Sequence, residues 1–453
     1  MSVTTLLIIA ALAVAVLLFL VIRVKLSAFV ALLLVSLGTA LATGIPIGDL
    51  MPTLTEGMAK TLGSVAIVVG LGAMLGRLIE DAGGATSLAT YFTEKLGRKR
   101  IIGAVSAAAF VLGIPVFFDV AYIILAPIVL GFARVANINP VKLGLPVAAM
   151  LMTTHVALPP HPGPVAAAEI LGIDPGFLIL VGTPISIITA LIGYAICKKM
   201  PVDKVELGPT PFDAHNSEDT QTEKEKAKKP IHPLVFLILV LLPIAQIMVG
   251  TVGMMNLGKE HPNYGIFSFI GSSALALLVA VMIAYLVLGS KAGWDLQKRG
   301  AIMDSALPTV AVIVFVTGAG GVFANVLVKS GIGVALADTL AATSIPLILM
   351  AFLIAVALRV SQGSATVAIL TSAGLMAAPL AAAEYTTTQI ALVTLAICFG
   401  SFTFSHINDS GFWIVTKYLG LSVKDGLKTW TVYSTIFGLI GFLASAGAFA
   451  ILS

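Results

Sequence analysis

Charge is what this sequence has least of. Asp, Glu, Lys and Arg make up 11% of its 453 residues, against roughly a quarter in soluble domains, which argues against an ordinary globular enzyme. Cysteine is nearly absent. Cys197 and Cys398 are the whole complement, and both sit inside apolar runs, so neither a disulfide framework nor a Cys-based metal site is indicated. The sequence contains no HExxH, Walker loop, Gly-x-Ser-x-Gly or CxxC, so the usual enzyme signatures are missing. Its one soluble-looking stretch, residues 198–231, is too short for a nucleotide-binding domain. Any transport must therefore draw on an ion gradient or run downhill.

Apolar residues fill the space that charge leaves. They reach 58% of the chain, with a mean hydropathy of +1.05, which defines an all-α polytopic membrane protein. Runs of about 17–25 residues suffice to span a bilayer as helices. They are read at 4–22, 27–44, 61–79, 142–172 (broken at Pro159–Pro164) and 177–197. After the linker they resume at 231–252, 265–289, 306–328, 388–418 (broken) and 429–452. Residues 1–22 lack a basic n-region and run through Arg23 and Lys25 into more apolar sequence, so they are read as a retained span rather than a signal peptide. Weaker segments at 84–96 and 332–342 read as interfacial helices.

Two stretches do not read as simple spans. RVSQGSATVA, Arg359–Ala368, places polar residues and glycine in the middle of an apolar run. Non-helical backbone at membrane depth survives only when buried in protein or lining a watery cavity. Residues 345–380 are therefore expected to form a re-entrant helical hairpin with its polar tip near the midplane. Shifting the numbering back by 248 carries this tip onto VLGIPVFFDV, Val111–Val120, the tip of a first hairpin at 101–133. The same offset places Gly318, Gly320, Gly331 and Gly411 on Gly70, Gly72, Gly83 and Gly163. Several matches in one register indicate an internal repeat. The expected domains are a first repeat at 1–197, a cytoplasmic linker at 198–231 and a second repeat at 232–453.

Lys and Arg favour cytoplasmic loops. With both termini outside, 22 of the 26 Lys and Arg residues fall inside, leaving Lys60, Lys259, Lys329 and Arg359. This distribution accounts for the net charge of +4 without a nucleic-acid partner. Each half holds five spans and one hairpin, and an odd number of spans inverts the second half relative to the first. Inverted repeats with broken helices at the midplane are the layout of secondary transporters.

Polar residues inside these spans are the candidate site. Arg359 either snorkels to the outer interface or offers its fork of donors to a carboxylate. Ser364 and Thr366 can donate and accept hydrogen bonds, and Gly363 permits close backbone approach. The helix that resumes after the tip would aim its free N–H groups at the same anion. Asp119, after Phe117 and Phe118, is either a proton carrier or a structural carboxylate, paired with Arg359 or capping the second leg. His155, His161, His406 and Asp409 surround the two broken spans and are candidates for contact with substrate or proton. Asn408 and Ser410 add hydrogen bonding there, while the prolines of PPHPGP open the backbone.

GIPVFFDVAYIILAP, LPPHPGP, RVSQGSATVA and SHINDSGFW together resemble the gluconate permease family of bacterial proton symporters, within the ion-transporter superfamily. The resemblance covers essentially the whole chain. It implies uptake of gluconate or a related sugar acid across the bacterial inner membrane, coupled to a proton gradient, with no bound cofactor. It also implies a homodimer with a scaffold part and a mobile part that carries both hairpins in an elevator motion. By analogy, Pro115–Asp119 with Phe118, His161–Pro164 with Gly163, Gly363–Thr366 and Asn408–Gly411 would line the site. The family often carries Glu where this chain has Asp119. It also contains carriers of other small hydroxylated acids, including D-serine. Sodium coupling stays open as an alternative, since carbonyls and hydroxyls at two tips can build an oxygen cage. A channel ranks lower, because a pore has no need of inverted symmetry.

Overall fold

The computed structural model describes residues 1–97, 100–114, 116–202, 205–211, 231–257, 260–333, 335, 345–382 and 385–452. Pro115, the centre of the linker and most of the expected interfacial piece 332–342 lie outside the described residues. Among those described there are nineteen α-helices and no strand. The first half runs α1 (Val3–Ile22), α2 (Ala28–Ala42), α3 (Ile47–Asp81), α4 (Gly84–Leu96), α5 (Ile101–Leu112), α6 (Phe118–Ala136), α7 (Pro140–Ala157), α8 (Pro162–Ile170) and α9 (Pro175–Cys197). The second half runs α10 (Pro233–Leu257), α11 (Tyr264–Ile270), α12 (Ser273–Ala292), α13 (Leu296–Lys329), α14 (Leu347–Gln362), α15 (Ala365–Ala382), α16 (Thr387–Gly400), α17 (Ser410–Tyr418), α18 (Val423–Lys428) and α19 (Trp430–Leu452). Ten helical stretches among the described residues are long and apolar enough to cross a membrane.

Several boundaries differ from the sequence reading. The spans expected at 61–79 and 306–328 belong to much longer helices, α3 and α13, of 35 and 34 residues. Hydropathy alone misses their polar ends, which are held by packing between the two helices. A Cβ on Gly57 of α3 would lie 2.7 Å from the carbonyl oxygen of Gly321 in α13, and one on Gly321 would lie 2.8 Å from that of Gly57. Small residues let two backbones approach this closely and make dense van der Waals contact. Asn325 Nδ2 also donates to the Thr53 carbonyl at 2.8 Å across the same crossing. The span expected at 265–289 divides into α11 and α12, because Gly271 packs backbone to backbone on Gly250 and Ser272 turns extended as the N-cap of α12.

The two broken spans appear where expected, as α7 and α8 and as α16 and α17. Ser410–Tyr418 lies 248 positions beyond Pro162–Ile170 at both ends. Packing across the halves is reciprocal: α2 lies on α13 and α12 on α3, while α8 lies on α15 and α17 on α6. α7 and α16 are buried along nearly their whole length, as apolar-all-round helices must be. Large apolar side chains on α1, α9, α10 and α19, such as Leu12, Leu180, Ile238 and Leu443, stay exposed and present a surface suited to lipid.

The two expected hairpins are not alike. α14 and α15 pack against each other around Gly363 and Ser364. α5 instead packs on α7, and α6 on α3, α4 and α7. In both pairs the first leg is short, at 12 and 16 residues. The second leg reaches 19 and 18 residues, long enough by composition to cross unaided.

Candidate functional site

Four helices begin at one cavity. Residues lining a space of about 850 Å³ include Phe118 and Asp119 at the start of α6, Pro162 of α8, Ala365 and Thr366 of α15, and Ser410 and Gly411 of α17. That volume falls within the range of small-molecule sites, about 300–1,000 Å³. Each helix start carries N–H groups without intrahelical partners and the positive end of a macrodipole. Together they make a setting for negative charge. The sequence puts them there because each helix follows a forced break: GIP before α6, PPH before α8, GS before α15 and HIND before α17.

A guanidinium and a carboxylate sit at the centre. The Arg359 side chain is 1% exposed and that of Asp409 4%, so the snorkelling alternative does not describe Arg359 here. Arg359 Nη2 donates to Asp409 Oδ2, and Nη1 donates to the Gly363 carbonyl at 2.5 Å. Asp409 is the N-cap of α17, and its Oδ1 accepts from the Gly411 N–H at 3.1 Å. Its Oδ2 also accepts from the Ser405 hydroxyl, whose oxygen in turn accepts from Trp430 Nε1 at 2.7 Å. A buried ion pair persists only with such extra hydrogen bonds, because desolvation of both charges otherwise outweighs their attraction. The carboxylate paired with Arg359 is thus Asp409. Asp119, in the first turn of α6, is half-buried and faces the cavity.

The α14–α15 tip is tied to the break before α17. Asn408 Nδ2 donates to the carbonyls of Val360 at 2.8 Å and Ser361 at 3.2 Å, and a His406 ring nitrogen lies 2.9 Å from the Val360 carbonyl. Gly363 adopts φ +74°, and a Cβ there would land on the carbonyl oxygen of Asn408. Only glycine meets both demands. Three buried polar atoms here have no protein partner: Arg359 Nε, Gln362 Oε1 and Asn408 Oδ1. On the α5–α6 side, His161 bridges the break and the tip. One of its ring nitrogens lies 2.8 Å from the Gly113 carbonyl and the other 3.2 Å from His155 Nδ1.

Of the residues singled out from sequence, Arg359, Gly363, Ser364, Thr366, Phe118, Asp119, His155, Asn408, Asp409 and Ser410 line the cavity. His161, Gly163 and His406 are not among its lining residues and instead hold the breaks that shape it. Phe118 is largely buried, stacked between Tyr122 and Trp430, and its neighbour Phe117, 41% exposed, also lines the cavity and lies against His155 and His161. Sequence reasoning missed the opposite wall, Gly57, Lys60, Thr317, Gly320, Gly321 and Asn325 from α3 and α13. The GAGG run at 318–321 and the isolated Lys60 were the available signals. It also missed Gln362, Ser405 and Trp430. Among the described residues no cluster of three or more His, Cys, Asp or Glu could hold a metal.

Helices long enough to cross a membrane, around a cavity of solute size with charged and hydroxyl groups in its wall, define a polytopic membrane protein built to handle a small molecule. Residues 5–451 match the family described as GntP family permease, and the chain belongs to it. The chain is similar to the inner membrane permease YgbN of Escherichia coli (strain K12), 53% identical over 456 residues and covering 100% of both chains. It is 35% identical over 439 residues to the high-affinity gluconate transporter of the same organism, covering 96% of this chain and 98% of that one. To the gluconate permease of Bacillus subtilis (strain 168) it is 37% identical over 444 residues, covering 96% and 97%. The family and these relatives are permeases and transporters, not enzymes.

Proposed function

We propose that this protein is a secondary active transporter that imports gluconate or a related hydroxylated carboxylate across the bacterial inner membrane by proton symport. The observation that carries the reading is the convergence of four helix N-termini and one buried guanidinium on a single cavity. The names of the relatives supply the substrate class. Ser364, Thr366, Ser410 and the unpaired amide oxygens of Asn408 and Gln362 offer partners for hydroxyl groups on the rest of the molecule.

Charge counting gives the coupling its logic. With the histidines neutral, Arg359, Asp409 and Asp119 sum to one negative charge when all are ionised. A bound sugar-acid anion would raise that to two at bilayer depth, where unbalanced charge is costly. Taking up a proton with each anion keeps the sum unchanged, and Asp119, which faces the cavity, is the assigned carrier. His155 and His406 are the further candidates for the proton's route, and a protonated Asp409 would release Arg359 to the substrate carboxylate.

The transport cycle we infer is alternating access about two inverted repeats, 1–197 and 232–453, with both termini outside and the cytoplasmic linker 198–231 between them. Reciprocal packing between the halves supports the symmetry. In this reading α3 and α13 belong to the scaffold, and α5–α8 with α14–α17 form the mobile part of an elevator within a homodimer. Sodium coupling is the second reading, favoured by the amide oxygens of Asn408 and Gln362, which have no protein partner and suit a hard cation.

Purified protein in proteoliposomes should take up labelled gluconate, faster under an inward acid gradient, with other sugar acids and D-serine as competitors. Uptake that follows sodium at fixed pH and ignores a proton gradient would replace the coupling ion. Binding of none of these acids would remove the substrate class.

A further inference from the structure

We infer that Lys60 and Lys329, bridged by Glu56, form an anion-collecting vestibule at the outer mouth of the cavity, separate from the groups that hold the substrate. The inference rests on the transport reading for its ligand, a small monoanionic carboxylate, and on the charge-derived topology for the word outer.

Its first support is where the scarce cations go. Four Lys and Arg residues stand apart from the clusters assigned to the cytoplasm: Lys60, Lys259, Lys329 and Arg359. Three of these four gather at one place. Arg359 lies in the cavity wall, Lys60 lines the same cavity, and Lys329 meets Lys60 on a shared carboxylate. Lys60 Nζ is 2.6 Å from Glu56 Oε1, and Lys329 Nζ is 2.5 Å from Glu56 Oε2. One carboxylate against two ammonium groups leaves a surplus positive charge.

Exposure indicates how that charge acts. The Lys60 side chain is 67% exposed and that of Lys329 41%, so both remain hydrated and neither can clamp a ligand as a buried guanidinium does. Exposed pairs of this kind add little stability, since solvent and salt screen them. Lys329 also ends α13, where a cation complements the helix dipole. That explains its sign but not its meeting with Lys60 from α3 beside the cavity. A hydrated surplus charge at a mouth with apolar walls raises the local concentration of anions and speeds their arrival.

A labelling experiment tests this without needing the substrate. Cys197 and Cys398 are both buried, so Ser364→Cys places one reachable thiol on the cavity wall. Its modification rates by a sulfonate-bearing and a trimethylammonium-bearing methanethiosulfonate of similar size are compared in detergent, with the protein lacking Ser364→Cys as background. One unit charge roughly 10 Å away in a water-filled mouth alters each rate about twofold, in opposite directions for the two reagents. Lys60→Gln with Lys329→Gln should lower the anion-to-cation ratio by at least about tenfold at low salt. Glu56→Gln should raise it, and Lys60→Arg with Lys329→Arg should leave it unchanged. All of these differences should shrink near 0.5 M salt, roughly, where the screening length falls to a few ångströms. A ratio unmoved by the double Gln variant, a change that salt does not screen, or a thiol that neither reagent reaches would overturn the vestibule. Gluconate uptake into proteoliposomes, measured on the same lysine and Glu56 variants with Ser364 intact, separates the two ideas. Normal uptake with an unmoved ratio rejects the vestibule alone, and a responsive ratio without uptake rejects the substrate alone.

Discussion

Asp409→Asn isolates the central ion pair with little disturbance of shape. Asn caps a helix about as well as Asp, so the amide oxygen can keep the Gly411 N–H bond of 3.1 Å. Its NH2 then faces the donors of Arg359, and no rotation of the amide satisfies both neighbours. The variant leaves a guanidinium only 1% exposed without its counter-charge. Two unit charges about 4 Å apart at an effective dielectric of about 20 attract by about 4 kcal/mol, and breaking one partner of a buried pair costs about 3–5 kcal/mol. The expected loss of unfolding free energy for Asp409→Asn is therefore about 3–5 kcal/mol. Arg359→Met should cost a similar amount at neutral pH. The double variant, with no stranded charge, should recover at least about 2 kcal/mol relative to the sum of the singles. Denaturant unfolding of purified protein followed by tryptophan fluorescence measures the cycle, as Trp413 and Trp430 both lie beside the site. Additive single losses, within about 0.5 kcal/mol, would refute the argument that these two charges hold the tip to the break.

Gly363→Ala should cost at least about 2 kcal/mol, from a left-handed φ plus a Cβ pressed on the Asn408 carbonyl. Gly374→Ala in α15, where a Cβ meets nothing within 4 Å, is the matched control and should be neutral; equal effects in unfolding would reject the close-approach argument. Asp119→Asn should abolish accumulation of gluconate against its gradient while sparing exchange, because the cavity keeps its shape but loses its assigned proton carrier. An unaltered dependence of uptake on the pH gradient would dismiss Asp119 from that role.

Much of the protein was legible from sequence because the bilayer imposes rules on composition. Backbone in lipid must satisfy its own hydrogen bonds, so apolar runs become helices, and polar breaks such as RVSQGSATVA become protein-buried features. That logic located the tips, the two broken spans and one side of the cavity lining, and the offset of 248 predicted that α8 and α17 would correspond. Long-range choices were not readable in this way. Nothing local says that Arg359 pairs with Asp409, fifty positions away, when Asp119 is also available; the N-cap geometry of α17 and the Ser405–Trp430 contact decide it. The wall formed by α3 and α13 was missed because glycine and threonine carry little hydropathy signal, and their role arises from two backbones crossing closely. Composition, periodicity and break residues thus determined which segments are helices and where they must open. Only the tertiary structure decided which charges meet and which helices enclose the cavity, because those depend on three-dimensional packing among elements far apart in the chain.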